Sequence, residues 1–286
     1  MGSFSKVGVV GCGLMGAGIA EVCARAGLDV VVAERDPAAI ASGRSRLIDS
    51  LDRGLRSGKL TEQEREAALH RTSFTSELAD LAGRGLVIEA VIERYDDKAS
   101  VFKQLDQVLA DDAVIASNTS SIPIIDLAAA TSRPQRVVGV HFFNPVPVQR
   151  LVEVIPTQLT SPEVTEQITT FAERTLGKTV VLARDRAGFV VNALLAPYLV
   201  SAVRMLEAGV ASAEDIDKGM VLGCAHPMGP LRLLDLIGLD TAQSIAESMY
   251  EEYKEPLYAP PPLLRRMVAA GTLGRKSGRG FYDYTV

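Results

Sequence analysis

Residues 7–34, VGVVGCGLMGAGIAEVCARAGLDVVVAE, leave the chain little choice of fold. A short apolar run (Val7, Val9, Val10) ends at Gly11, and Gly11, Gly13 and Gly16 give G-x-G-x-x-G, with Gly18 following. Residues 19–26 are small and apolar, as a helix packed on a sheet should be, and Gly27 stops it. Val30 to Ala33 form a second apolar strand closed by Glu34, 18 residues after Gly16. This is a dinucleotide-binding βαβ unit with the glycines in their required frame. The first glycine permits the tight turn, the second lets a pyrophosphate approach the backbone, and the third lets the helix sit close on the strand. Amides at the helix start, from Gly13 through Leu14, Met15 and Gly16, then face the phosphates, favoured by the helix dipole. Glu34 can accept hydrogen bonds from both hydroxyls of an adenosine ribose and repels a 2′-phosphate, which favours NAD over NADP. Arg35 pulls the other way, so NADP is not excluded.

Beyond Glu34 the pattern predicts helices over 37–56 and 61–70, the second opened by a Thr61/Glu64 capping box, and no return to the sheet before Leu86. Strands follow at 86–91, 114–116, 137–142, 151–155 and 179–182, with a helix over 163–176. Alternating strands and helices imply a Rossmann-type, doubly wound, mostly parallel sheet. At residues 184–188 the character changes to helices over 189–206, 213–221, 231–253 (with Gly238 a break inside it) and 263–270. At 286 residues the chain exceeds the size of one ordinary core. The expected organisation is an NAD-binding domain over 1–185, with a helical insertion at 37–85, then an all-helical domain over 186–286. The first helix of that domain is apolar on more than one face, which predicts burial against a second copy and hence a homodimer.

Composition narrows the partners. A net charge of −5 with no block of like charge points away from nucleic acid and anionic membranes, and no apolar stretch reaches membrane-span length. The start runs directly into a strand with no signal segment. Cys12, Cys23 and Cys224 fit neither a zinc site nor a disulfide framework. A cytoplasmic protein without a metal is expected. Cys12, in the glycine turn, reads as a reactive thiol or as a small residue tolerated there.

In a parallel sheet the carboxyl ends of the strands share one edge, and ligands bind outside it. The glycine loop, Glu34, Glu93, the run 117–121 and His141 all fall at that edge. His141, one of three histidines, stands in an apolar strand where an unsatisfied imidazole is expensive. Glu153 lies 12 residues on, across a proline turn, on a strand able to lie beside it. A His–Glu pair at a nicotinamide can take a hydroxyl proton as hydride leaves the same carbon. The alternatives are a core histidine held by backbone, and Glu153 paired with Arg150 or Lys178. Ser120 and Asn192 offer a hydroxyl and an amide for a substrate oxygen, or else a loop turn and a helix contact. Arg46, Arg53 and Arg56 share or nearly share a helix face, either as a solvated surface or as a dock for a phosphate-rich substrate tail. The segment 271–280, GTLGRKSGRG, lacks the spacing and the strand–helix frame of a phosphate loop.

Several stretches together resemble the L-3-hydroxyacyl-CoA dehydrogenase family, in particular its short stand-alone 3-hydroxybutyryl-CoA dehydrogenases. They are GCGLMGAGIAE at 11–21, EAVIE at 89–93, SNTSSIPI at 117–124, HFFNPVPV at 141–148, LVEVI at 151–155, HPMGPLRLLDLIGLD at 226–240 and GRKSGRGFYDY at 274–284. The resemblance implies an NAD-dependent oxidoreductase of fatty acid metabolism acting on an acyl-CoA. His141 would be the catalytic base, Glu153 its partner, and Ser120 and Asn192 the supports of substrate and catalysis. On the cofactor side it implies Glu34 at the adenine ribose, Glu93 and Lys98 near the nicotinamide ribose, and Ser120 and Asn144 beside them. Arg53 stands where the family often carries a lysine near CoA, and Ser57 replaces a second. It also implies a helical dimer interface. Rival functions are a dehydrogenase of the same fold acting on a free hydroxy or sugar acid, and a non-catalytic NAD-binding structural protein.

Overall fold

The computed structural model describes residues 4–285. The chain forms two compact units, the first ending at Arg186 and the second beginning at Ala187.

The first unit is built on an eight-stranded sheet. Its elements run β1 (Lys6–Val10), α1 (Leu14–Arg25), β2 (Asp29–Ala33), α2 (Pro37–Arg56), α3 (Glu62–His70), β3 (Thr72–Thr75), β4 (Leu86–Glu89), α4 (Tyr95–Val108), β5 (Val114–Ser117), α5 (Ile124–Ala128), β6 (Val137–Phe142), β7 (Leu151–Ile155), α6 (Pro162–Thr170) and β8 (Thr179–Leu182). The order across the sheet is β3-β2-β1-β4-β5-β6-β7-β8. All neighbours are parallel except β6 and β7. The order reverses at β1, which lies between β2 and β4, so a crevice opens there at the carboxyl edge. Valines and isoleucines of β1, β2, β4, β5, β6 and β7 fill the core with Ile19, Ala20 and Cys23 of α1 and Leu47 and Leu51 of α2. The Thr61/Glu64 capping box opens α3, and Asp36 caps α2 by accepting from the Ala39 amide at 2.7 Å.

One expectation is overturned. The segment between Glu34 and Leu86 is not helical throughout, because Thr72–Thr75 adds β3 to the sheet beside β2. Its sequence, TSFT, is short and partly exposed, since an edge strand is covered on one side only, so it carries no apolar run. The expected helix over 163–176 is α6 followed by a π-helical turn, Phe171–Thr175.

The second unit comprises α7 (Val191–Glu207), α8 (Ala213–Cys224), α9 (Pro230–Ile237), α10 (Leu239–Tyr253) and α11 (Pro262–Ala269). Gly238, at φ +100°, separates α9 from α10, so the expected helix over 231–253 is two. Two buried aspartates organise the packing. Asp217 of α8 accepts from the amides of Leu231 (2.8 Å) and Arg232 (3.0 Å) at the start of α9, and from the Tyr282 hydroxyl (2.8 Å). Asp235 of α9 accepts from the amides of Phe281 (2.9 Å) and Tyr282 (3.0 Å) and from the Tyr284 hydroxyl (3.1 Å). A Cβ on Gly280 would lie 1.9 Å from Asp235 Oδ1, and one on Gly274 would lie 2.4 Å from the Asp235 carbonyl oxygen. The glycines of 274–280 therefore let the C-terminal tail close over Asp235.

Asp235→Ala leaves two buried amides and a hydroxyl without an acceptor. Unfolding by denaturant is expected to show a loss of about 3 kcal/mol. A loss below about 1 kcal/mol would mean the tail is held by something else.

Candidate active site

The glycine loop separates three roles for its glycines. Gly11 sits at φ +89°, and a Cβ there would meet the Ala90 carbonyl oxygen at 2.8 Å. A Cβ on Gly16 would lie 1.9 Å from the Gly11 carbonyl oxygen, so α1 can touch the loop only with glycine at that position. Gly13 has an ordinary φ of −65° and nothing within 4 Å of its Cβ position. Neither strain nor packing inside the protein calls for glycine there, whereas a pyrophosphate approaching the backbone does. Gly13 is the N-cap of α1 and no side chain caps that helix, so the first-turn amides at Leu14, Met15 and Gly16 have no side-chain acceptor. These residues fit a dinucleotide pyrophosphate.

Glu34, just past β2, accepts from the Cys12 amide at 2.5 Å and from its neighbour Arg35's amide at 3.2 Å. It thus ties the glycine loop to the end of β2. The Arg35 side chain is 86% exposed and pairs with Asp36. The Cys12 thiol is fully buried, which favours the reading of a small residue tolerated in the turn. Burial first, and then the Glu34 carboxylate, push it up to about 12. Arg46 reaches back from α2 to the Cys12 carbonyl at 3.2 Å. It is therefore separated in role from Arg53 and Arg56, which remain exposed on α2.

At the ends of β4 and β5 a ladder of buried charge appears. Lys98 of α4, 1% exposed, places Nζ 2.7 Å from Glu89 Oε1 and 3.2 Å from Glu93 Oε2. Glu89 Oε1 also accepts from the Val91 amide (2.6 Å), and its Oε2 from the Ser117 hydroxyl (2.7 Å). Glu93 Oε1 collects the Thr119 hydroxyl (2.5 Å), the Ser120 amide (3.0 Å) and the amide and hydroxyl of Ser121 (3.2 and 3.0 Å). The Ser120 hydroxyl lies 3.4 Å from the same oxygen. Burial alone would push Glu93 up, but Lys98 and these donors hold it below the usual carboxylate range. The far end of the loop is fixed by Asp185, which accepts from the amides of Ile124 (2.8 Å) and Ile125 (2.7 Å) at the start of α5. Asn118 accepts from the Phe142 amide (2.9 Å), tying β5 to β6 directly after His141.

His141 and Glu153 stand opposite each other in the antiparallel β6–β7 register. His141 Nδ1 lies 2.7 Å from Glu153 Oε2, and both residues are buried. Lys178 is not the partner of Glu153. Its ammonium donates to the carbonyls of Val146 and Gln149, both at 2.6 Å. The intervening turn holds Asn144, exposed and joined to Pro145 by a cis peptide. Its Val146 is buried against α1, where a Cβ on Gly18 would come within 2.8 Å of Val146 Cβ. In the second unit Asn192 lies in the first turn of α7. It lines an otherwise apolar pocket with Leu195, Leu199, Val203, Leu234 and Ile245.

Residues 6–186 match the family profile described as 3-hydroxyacyl-CoA dehydrogenase, NAD binding domain, and residues 188–284 match the C-terminal domain of the same family. The chain belongs to the 3-hydroxyacyl-CoA dehydrogenase family. It is 59% identical over 283 residues to a 3-hydroxybutyryl-CoA dehydrogenase of Mycobacterium tuberculosis, covering 99% of both chains. Among solved structures it is similar to M. tuberculosis FadB2 (58% identity, TM-score 0.98, 99% of this chain and 100% of that one). It is also similar to the (S)-3-hydroxybutyryl-CoA dehydrogenase of Ralstonia eutropha (46%, TM-score 0.93, 99% and 100%). Membership of the 3-hydroxyacyl-CoA dehydrogenases brings the NAD-binding domain with it, and the glycine loop carries the matching geometry. Sequence reasoning placed the run 117–121 at the sheet edge without giving Ser117, Asn118 or Thr119 a role, and it did not single out Glu89 or Asp185. Each acts through a partner distant in sequence, and Glu89 reads locally as part of the apolar strand LVIEAV.

The two inner glycines make opposite predictions. Gly13→Ala is expected to leave the melting temperature within about 1 °C and to weaken NADH at least about tenfold in a fluorescence titration. Gly16→Ala is expected to lower the melting temperature itself. Unchanged NADH affinity in Gly13→Ala would mean that nothing approaches the loop at that point.

Proposed function

We propose that the protein is an NAD-dependent dehydrogenase that interconverts an L-3-hydroxyacyl-CoA and the 3-oxoacyl-CoA. We take the substrate to be short-chain, such as 3-hydroxybutyryl-CoA, after the named activity of its relatives. The observation that carries this reading is the 2.7 Å His141–Glu153 contact, buried at the same sheet edge as the glycine loop.

Bound NAD supplies the hydride acceptor or donor. The rest of the chemistry belongs to this chain. With its Nδ1 proton donated to Glu153, His141 is held in the tautomer whose Nε2 carries the lone pair. In the oxidative direction Nε2 takes the 3-hydroxyl proton as hydride leaves that carbon. In the reductive direction Nε2 returns the proton to the ketone oxygen. The Glu153 carboxylate, in contact with Nδ1, balances the imidazolium formed in between. Ser120 donates to the substrate oxygen, and we assign Asn192 the same task from α7. The ionised Glu93, with Lys98 behind it, serves the nicotinamide-side ribose, Glu34 the adenine ribose, and Asn144 the cofactor's nicotinamide side. Arg53, exposed on α2, is assigned to the phosphates of CoA.

We also propose a cytoplasmic homodimer joined through the helical unit, at work in fatty acid metabolism. Large apolar side chains exposed on α7 and α8, Leu194 (74%) and Leu222 (75%), support a covered face there. Among the described residues no helix is long and apolar enough to cross a membrane, and the three cysteines are free.

The deciding assay follows NADH consumption with acetoacetyl-CoA and, separately, with acetoacetate. Turnover confined to the thioester is expected, and turnover on the free acid alone would replace this reading with the free-acid dehydrogenase. His141→Ala is expected to lower kcat by about 10² to 10⁴ while NADH affinity stays unchanged. Lost NADH affinity in that variant would remove the assigned role. Arg53→Ala is expected to raise KM for acyl-CoA several-fold and leave KM for NADH unchanged. An unaltered acyl-CoA KM would return Arg53 to the solvated surface.

A further inference from the structure

The charges of the β4–α4 ladder do not cancel. Two carboxylates, Glu89 and Glu93, share one ammonium, Lys98. The closer and drier partner is Glu89, fully buried and 2.7 Å from Nζ; Glu93, at 3.2 Å, has a side chain 36% exposed. The other donors to Glu93 are the hydroxyls and amides of residues 119–121, which solvate its charge without neutralising it. Glu93 is therefore ionised with its charge only partly balanced, and it is the member of the ladder nearest solvent.

We propose that Glu89 is a positioning residue that reserves this charge for the cofactor. By engaging Lys98, it leaves one net negative charge at Glu93. The site then distinguishes oxidised from reduced dinucleotide, since the nicotinamide ring is cationic when oxidised and neutral when reduced. The proposal rests on Glu93 serving the nicotinamide side of the cofactor. Neutralising Glu89 frees Lys98 to cancel Glu93, and the preference for the oxidised form falls with it. Glu89 and Lys98 are both buried, so the interaction between them is felt through a medium of lower dielectric than water and is weakly screened by salt.

The test measures dissociation constants for NAD⁺ and for NADH separately, by calorimetric titration of the full-length protein without acyl substrate. Glu89→Gln preserves side-chain size, keeps an oxygen for the Val91 amide and Lys98, and turns an amide nitrogen toward the Ser117 hydroxyl, which can accept from it. It is expected to weaken NAD⁺ about tenfold while NADH changes by less than about threefold, so the ratio of the two constants rises. Lys98→Met leaves both carboxylates uncompensated and is expected to move the ratio the other way. The double variant Glu89→Gln/Lys98→Met restores the net charge of the ladder, and it carries the test if the single variant does not fold. Its ratio is expected to return to within about twofold of the unmodified protein, and a ratio shifted about tenfold there overturns the proposal.

A merely structural Glu89 would lower the melting temperature and weaken both forms equally, or neither; either result overturns the proposal. Glu93→Gln separates this failure from failure of the underlying reading. A ratio that moves in Glu93→Gln but not in Glu89→Gln removes the role of Glu89 alone. Two unchanged constants in Glu93→Gln remove the assignment of Glu93, and the proposal with it.

Discussion

The chemistry of this site depends on one antiparallel register. Gly139 faces Ile155, Val140 faces Val154, His141 faces Glu153 and Phe142 faces Val152. A slip of one residue would send every side chain of β7 to the opposite face of the sheet and part the pair. Glu153 is fully buried, and a buried carboxylate without a partner costs several kcal/mol. The His141–Glu153 contact and the strand register therefore select each other. Three further contacts hold the register. Glu153 faces Val181 of β8 on its other side, Asn118 accepts from the Phe142 amide, and Val146 in the connecting turn packs on Gly18 of α1. Through that last contact the helix that opens the glycine loop also braces the turn that follows the strand carrying His141.

Elsewhere along the edge, carboxylates set the loops. A chain leaving a parallel strand has amides that the sheet no longer satisfies, and buried amides need acceptors. Glu34 takes the amide of Cys12, Glu89 that of Val91, Glu93 those of Ser120 and Ser121, and Asp185 those of Ile124 and Ile125. Each acidic side chain fixes a loop that it does not belong to or has just entered. The loops that would meet a cofactor are thereby held before one arrives, which is the arrangement that spares ordering entropy on binding. The same carboxylates place negative charge at the edge, and the buried Lys98 answers it at Glu89 and Glu93.

What the sequence disclosed follows the range of the interactions. β1, α1 and β2 were legible because the glycine spacing, the apolar runs and Glu34 lie within 28 residues and each acts locally. His141 and Glu153 were legible as a pair because a short proline turn can return one strand beside the other. β3 was not, because an edge strand of four half-exposed residues has no apolar alternation to read. Gly238 could be seen only as a break inside one helix, since its positive φ is a property of the folded backbone. Lys98 entered through family resemblance alone. Its burial between Glu89 and Glu93 depends on α4 packing back over β4, and a lysine in a helical first turn carries no mark of that. Asp185 caps α5 from 61 residues away, beyond any local pattern.

Two glycine-rich segments in this chain look alike on paper and differ in what approaches them. In 274–280 the space at Gly274 and Gly280 is filled by Asp235, and the glycines serve the protein's own packing. In 11–16 the space at Gly11 and Gly16 is likewise filled from within, by Ala90 and by Gly11 itself, but the space at Gly13 is open. At Gly13 neither strain nor a neighbour calls for glycine, and the open backbone leaves room for a phosphate to approach. The uncapped start of α1 opens at that position and favours negative charge. In 11–16, then, two glycines serve the fold itself, and the third leaves the backbone open beside an uncapped helix start.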